Sequence, residues 1–243
     1  MDGLEFFQSG DGGGIVVFLN GFRTPFSSWE RVYPRISEHH RVLLYNRRGV
    51  GRSEKATADQ TGETVVEELR QLLEQRALQG PCLLVGHSLG GLFANLYARL
   101  HPADVLGVVF VDAAHPDEIS IQRSIKPPRF VNGLNNLIKW VEKRFDPYRY
   151  SEDEIIRETL QQIHLAAPFP ALPVTVVSGM ARMPLVPQPA FEIHQDYQRA
   201  LLDLSPMSER VECLKSGHFP QISEPECVVS AILGILKRCG RSA

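Results

Sequence analysis

The sequence predicts an α/β fold: a mostly parallel, doubly wound sheet with helices on both faces and a small helical insertion. Three observations carry this. Short, mostly apolar strand-like runs lie at 15–19, 41–45, 82–85, 106–111, 174–177 and 211–214, and the continuous apolar run at 15–19 suits a parallel strand buried on both faces. Amphipathic helical patterns alternate with them. Chemically capable residues (Gly21, Ser88, Asp112, Gly179, His218) fall just after the runs, at the carboxyl ends where such sheets place their chemistry.

In order, residues 4–8 read as a short leading strand closed by the turn at 9–14. The run at 15–19 ends in Asn20-Gly21-Phe22, and Ser27 or Ser28 then offers a helix cap. The run at 41–45 opens into a turn-rich loop at 46–53. Thr64 and Glu67 have capping-box spacing, and Val65, Leu69, Leu72 and Leu73 share one face of the helix that follows. Gly80-Pro81 ends that helix. From Leu89 a second helical period continues until Pro102. Residues 117–170 change character, with helical patterns but no strand-like run; one follows Phe130, Leu134, Leu137, Ile138 and Val141, the other opens at Ser151-Glu152-Asp153-Glu154. A helical pattern through Phe191, His194, Tyr197 and Leu201 separates the last two runs, and a final helix begins near Ser223-Glu224-Pro225-Glu226. The organisation expected is a core of 1–116 and 171–243 with 117–170 inserted as a helical cap.

Composition narrows the function classes. Apolar content of 43% and charged content of 22% are ordinary for a globular chain. A formal net charge of −2 leaves no basic footprint for nucleic acid. No stretch has the length and apolarity of a membrane span, and residues 1–10 lack the pattern of a secretory signal. Cys82, Cys213, Cys227 and Cys239 show no metal-ligand spacing, which favours reduced thiols and a cytoplasmic location. With no phosphate-binding glycine loop or dinucleotide fingerprint, no cofactor is expected.

The chemistry centres on Gly86-His87-Ser88-Leu89-Gly90. A match of this form arises by chance in about one chain in ten of this length, so its context decides. Here a buried-strand pattern precedes the serine and a helical one follows it, as a nucleophile elbow requires. A serine hydroxyl needs a base within hydrogen-bond reach. His218, just after the last strand, is the candidate; His115 is a weaker rival, and His87 should point away from its neighbour Ser88. His39, His40, His101, His164 and His194 are expected to be solvated or packed.

The runs Phe18-Leu19-Asn20-Gly21-Phe22 and Tyr45-Asn46-Arg47-Arg48-Gly49-Val50-Gly51-Arg52-Ser53, the elbow, and Ser216-Gly217-His218 together resemble the α/β-hydrolase superfamily over nearly the whole chain. The resemblance implies a serine nucleophile and an oxyanion hole built from the backbone N–H groups of Phe22 and Leu89. Two positions depart from the family pattern: Asn20 where many relatives have His, and Asn46 where many have Asp. The acid is the larger departure. Many relatives carry it after the penultimate strand, where this chain reads Ser178-Gly179-Met180-Ala181-Arg182, without a carboxylate. Asp112, after the preceding strand, is the candidate acid, with Glu192 and Asp196 as rivals and Asp117 a distant one.

The function expected is hydrolysis of a small to medium apolar ester or thioester through an acyl-enzyme on Ser88, Asp112 and His218. Phe130, Leu134 and Trp140 are the candidate pocket residues. A lyase-type reaction on the same triad and a ligand-binding protein with little turnover are the alternatives. A carboxylate-nucleophile dehalogenase or epoxide hydrolase is disfavoured by the serine at position 88.

Overall fold

A computed structural model describes residues 3–122, 142–144, 146–184 and 186–240. Its centre is a seven-stranded sheet in the order β1-β3-β2-β4-β5-β6-β7. The strands are β1 (Phe6–Ser9), β2 (Ile15–Leu19), β3 (Arg41–Tyr45), β4 (Cys82–His87), β5 (Val105–Val111), β6 (Val174–Gly179) and β7 (Ser208–Cys213). Only β1 runs antiparallel, paired with β3; the other neighbours are parallel, so their carboxyl ends share one edge.

Alternate residues of the apolar runs feed two cores. Val17, Leu19, Leu84, Val108, Phe110 and Val176 face one side. There they meet α2 (Gly62–Gln75), α3 (Leu89–Leu100) and, through Ile156, Leu160 and Ile163, a later helix, α6 (Ile156–Leu165). Val16, Phe18, Leu83, Val85, Val109 and Val111 face the other side, under Trp29, α1 (Tyr33–Ser37) and the last helix, α9 (Pro225–Arg238). Burial on both faces is why these strands read as unbroken apolar runs rather than alternating ones.

Between β5 and β6 lie α4 (Pro116–Gln122), α5 (Ser151–Glu154) and α6. After β6 come α7 (Gln188–Ala200) and, beyond β7, the short α8 (Pro220–Ser223). Among the described residues no helix is long and apolar enough to cross a membrane.

Several local expectations shift. Helix α2 begins two residues before Thr64, and Thr61 is its cap, its Oγ1 accepting the Thr64 N–H at 3.2 Å. Ser27 and Ser28 lie in a 3-10 turn (Phe26–Trp29) rather than capping a helix. Ser151 does not cap its own helix; its hydroxyl accepts the Gln60 N–H at 2.8 Å, docking α5 onto the core. For Ser151 a tertiary donor, the Gln60 N–H, outcompetes the local pattern.

Candidate active site

Ser88 sits between β4 and α3 at φ 52°, ψ −121°, a left-handed backbone that non-glycine residues rarely adopt. The flanking glycines make the turn possible. A Cβ on Gly86 would lie 2.7 Å from the Gly90 carbonyl oxygen, and one on Gly90 would overlap the Leu19 carbonyl. Leu89 opens α3, so its N–H has no acceptor within the helix.

His218 reaches Ser88 from the loop after β7. Its Nε2 lies 3.0 Å from Ser88 Oγ, and its Nδ1–H donates to Asp112 Oδ2 at 2.7 Å. Asp112 follows β5, also at positive φ (42°), with its side chain 3% exposed. Its other oxygen accepts the Gly179 N–H at 2.9 Å. The segment after β6 thus contributes a backbone donor to Asp112 in place of the carboxylate many relatives carry there. Burial on its own would raise the Asp112 carboxyl. Hydrogen bonds and charge from His194 and His218 outweigh it and hold the group well below the usual carboxylate range.

The rivals lie elsewhere. Asp196 pairs with Arg199, and Glu192 accepts from Gln188 at 2.9 Å, both on the exposed side of α7. Asp117 bonds His164 at 3.2 Å. His115 packs its ring 5.0 Å from Tyr197. His87 is buried behind the site, its Nε2–H donating to the His218 carbonyl at 2.7 Å; burial lowers it to about 3, so it stays neutral.

His194 is a correction to the sequence reading. It is neither solvated nor merely packed: Nε2–H donates to Asp112 Oδ2 at 3.2 Å and Nδ1–H to Glu118 Oε1 at 2.8 Å. Carboxylates only accept, so both ring nitrogens carry protons and His194 is an imidazolium. Burial opposes that charge, but the two carboxylates raise the group to about 10. Glu118, on α4, is 3% exposed. Two histidines therefore share one aspartate. The only signal in the sequence was the helical period that brings His194 to the same face as the buried Gln195 and Gln198, whose amides donate to the Gly179 and Ala113 carbonyls.

A pocket of about 260 Å³ opens beside Ser88 and His218. Ile119, Met183, Val186 and Phe191 supply its apolar wall, with Glu118 and His194 at its polar end. The candidate pocket residues Phe130, Leu134 and Trp140 lie outside the described residues.

The loop after β2 lies against the elbow: a Cβ on Gly21 would stand 3.4 Å from Ser88 Cβ. The two departures from the family pattern prove to be partners. Asn20 Nδ2–H donates to Asn46 Oδ1 at 3.2 Å and to the Tyr45 carbonyl at 2.9 Å, while Asn20 Oδ1 accepts from Trp29 Nε1 at 2.9 Å. The loop is anchored by amides at both ends of that contact.

Comparison with known proteins agrees with this architecture. The chain is 26% identical to the uncharacterized Bacillus subtilis protein YqjL over 97% of its own length and 89% of that protein. It is 25% identical to Methylesterase 9 of Arabidopsis thaliana, over 85% of this chain and 92% of the other. Among solved structures, a thermophilic esterase from Thermogutta terrifontis shares its fold at a TM-score of 0.69 and 22% identity, covering 97% of this chain and 93% of that one. A family model described as alpha/beta hydrolase fold matches residues 14–138, the span that runs from β2 through the elbow and past Asp112. That match takes in more than half of the chain together with the serine turn, and the chain belongs to the alpha/beta hydrolase fold family.

Proposed function

We propose that the chain is a serine hydrolase that cleaves a carboxylic ester or thioester of a small to medium apolar substrate through an acyl-enzyme. The observation that carries this reading is the hydrogen-bonded series from Ser88 Oγ through His218 to Asp112 on a strained elbow. Asp112, kept ionised, accepts the His218 Nδ1–H and so leaves the Nε2 lone pair facing the serine hydroxyl. Ser88 attacks the carbonyl as His218 takes its proton. The Phe22 and Leu89 N–H groups receive the oxyanion, and His218 returns the proton to the leaving alcohol or thiol. Water, activated by the same imidazole, then releases the acid.

We read 117–170 as a cap inserted in the core of 1–116 and 171–243; of its described residues, Glu118 and Ile119 on α4 line the pocket, while α6 packs against the sheet. The names of the esterase relatives, Methylesterase 9 among them, support an ester substrate. The small pocket with its apolar wall supports a short acyl or alcohol group. The buried thiols of Cys82 and Cys213 support a cytoplasmic location.

The test is hydrolysis of p-nitrophenyl butyrate and butyryl thioesters, with Ser88 labelling by a fluorophosphonate. Ser88→Ala and His218→Ala should each abolish turnover, and Ser88→Ala should abolish labelling. Wild-type rates in Ser88→Ala overturn the proposal. Labelling of Ser88 without acid release from any ester would redirect it to a non-hydrolytic reaction.

A further inference from the structure

Arg47 is among the most deeply buried side chains of the protein, 1% exposed, yet it is charged and sits beside the loop that faces Ser88. Each of its three nitrogens has a defined target. Nη1–H donates to the Asn20 carbonyl at 2.8 Å and Nη2–H to the Gly21 carbonyl at 3.0 Å. Nε–H and Nη2–H grip the Glu152 carboxylate, the latter at 3.0 Å. The guanidinium also lies over the Phe93 ring, 4.9 Å from its centroid.

The target carbonyls matter. The Gly21 carbonyl belongs to the peptide unit whose N–H is that of Phe22. In a trans peptide the N–H points opposite to the C=O. Arg47 and the Thr24 N–H, at 3.2 Å, together hold the Gly21 oxygen, which directs the Phe22 N–H to the opposite side of the loop. A cation on the carbonyl also polarises the peptide and strengthens its N–H as a donor. Glu152 completes the arrangement from outside the core. It belongs to α5, which is docked by the Ser151–Gln60 hydrogen bond, and α6 follows with Thr159 Oγ1 accepting the Gly62 N–H at 2.9 Å.

We propose that Arg47 is a positioning residue of the oxyanion hole, the side chain that with the Thr24 N–H aims the Phe22 N–H through the Gly21 carbonyl, and that Glu152 holds Arg47 in that pose. The proposal rests on the serine-hydrolase reading given above. It makes the 117–170 insertion part of the transition-state machinery through a single ion pair. Replacing a buried ion pair by apolar residues of similar size is often neutral for folding, whereas breaking it by removing one partner is not. That asymmetry separates a positioning role from a structural one.

The experiment compares wild type, Arg47→Met, Arg47→Lys, the double variant Arg47→Met/Glu152→Met, and Ser88→Ala. The readouts are the rate of Ser88 modification by a fluorophosphonate, kcat and KM for p-nitrophenyl butyrate, the inhibition constant of phenylboronic acid, and the thermal midpoint. Removing an oxyanion donor outright costs about a hundred- to a thousandfold, so a donor left unaimed should cost roughly ten- to a hundredfold. We expect Arg47→Met and the double variant to lose that much in kcat, in phosphonylation rate and in boronate affinity, with KM little changed. Arg47→Lys should fall between them and wild type, because an ammonium reaches fewer of the fixed targets. The double variant should regain thermal stability over Arg47→Met without regaining rate. Wild-type kcat and phosphonylation in the double variant overturn the proposal, since Arg47 would then serve only to neutralise Glu152. If Ser88→Ala keeps activity, or wild type is not labelled, the serine-hydrolase reading itself fails and this proposal with it.

Discussion

Replacing His194 with glutamine removes a cation held between two carboxylates, and the consequence is read in the pH dependence of stability. In the folded chain His194 keeps its proton up to about pH 10, against an ordinary value of 6.5 that stands for the unfolded chain. Between those values the folded state binds one proton more than the unfolded state. The stability this supplies is complete below pH 6.5 and is lost as pH rises through 10. Integrated from pH 6.5 to 8.5, the loss is about 2 kcal/mol. The contacts are of the right size to support it. At 2.8 and 3.2 Å and an effective dielectric near 20, each charge contact is worth about 5 kcal/mol before the cost of desolvation is subtracted. The window stops at pH 8.5 because burial raises the Cys82 thiol to about 12, which adds an alkaline loss of its own above its ordinary value of 9.0. Urea titrations of wild type and His194→Gln at pH 6.5, 7.5 and 8.5 measure the effect. His40, His87, His101 and His115, all lowered chiefly by burial, add stability as pH rises in both proteins and cancel in the difference. The loss across the window should be about 2 kcal/mol larger in wild type than in His194→Gln. Parallel slopes would refute the assignment of a bridging imidazolium.

Three further outcomes follow from the geometry. Asp112→Asn cannot accept from Gly179 on one atom and from two imidazoles on the other, and it releases the His218 tautomer; kcat should fall by about 10⁴ with the far-ultraviolet spectrum unchanged, and a loss below tenfold would remove Asp112 from the reaction. Gly90→Ala drives a methyl into the Leu19 carbonyl and to within 2.7 Å of the Asn20 oxygen, so the end of β2 must move; a thermal midpoint and kcat both equal to wild type would contradict the elbow packing. Asn46→Asp turns the donor that meets Glu5 Oε2 at 2.7 Å into a second carboxylate; urea titration should show a loss of about 1–3 kcal/mol, relieved by Glu5→Gln, and an unrelieved loss would break the account.

The Asn46–Glu5 contact also bears on the departure from the family pattern. An aspartate at position 46 would face Glu5, whose carboxylate is committed to Arg52 and is held below its usual range chiefly by the Arg52 N–H. A neutral amide accepts from Asn20 and from the Phe26 N–H while donating to Glu5, which a carboxylate cannot do.

Much of the fold was legible in the chain because its signals are local. A strand buried on both faces must be apolar throughout, so β2, β3 and β4 announced themselves residue by residue. The elbow was legible because steric exclusion at Gly86 and Gly90 restricts residue choice at fixed spacing from Ser88. Helix starts were less legible. Thr64 and Ser151 offer capping patterns, but Thr61 caps α2 and Ser151 is drawn to Gln60, since a cap signal marks several neighbouring positions equally well.

By itself, the sequence determined the parallel α/β sheet, the serine turn and the set of polar residues delivered to one edge, because strand burial and turn sterics act within a few residues. Only the tertiary structure decided how those residues pair. His218 and Asp112 are 106 positions apart, His194 and Glu118 76, and Arg47 and Glu152 105. No periodicity spans such distances; the pairings exist because packing the helices onto the sheet leaves each buried charge needing a partner that only another element can supply.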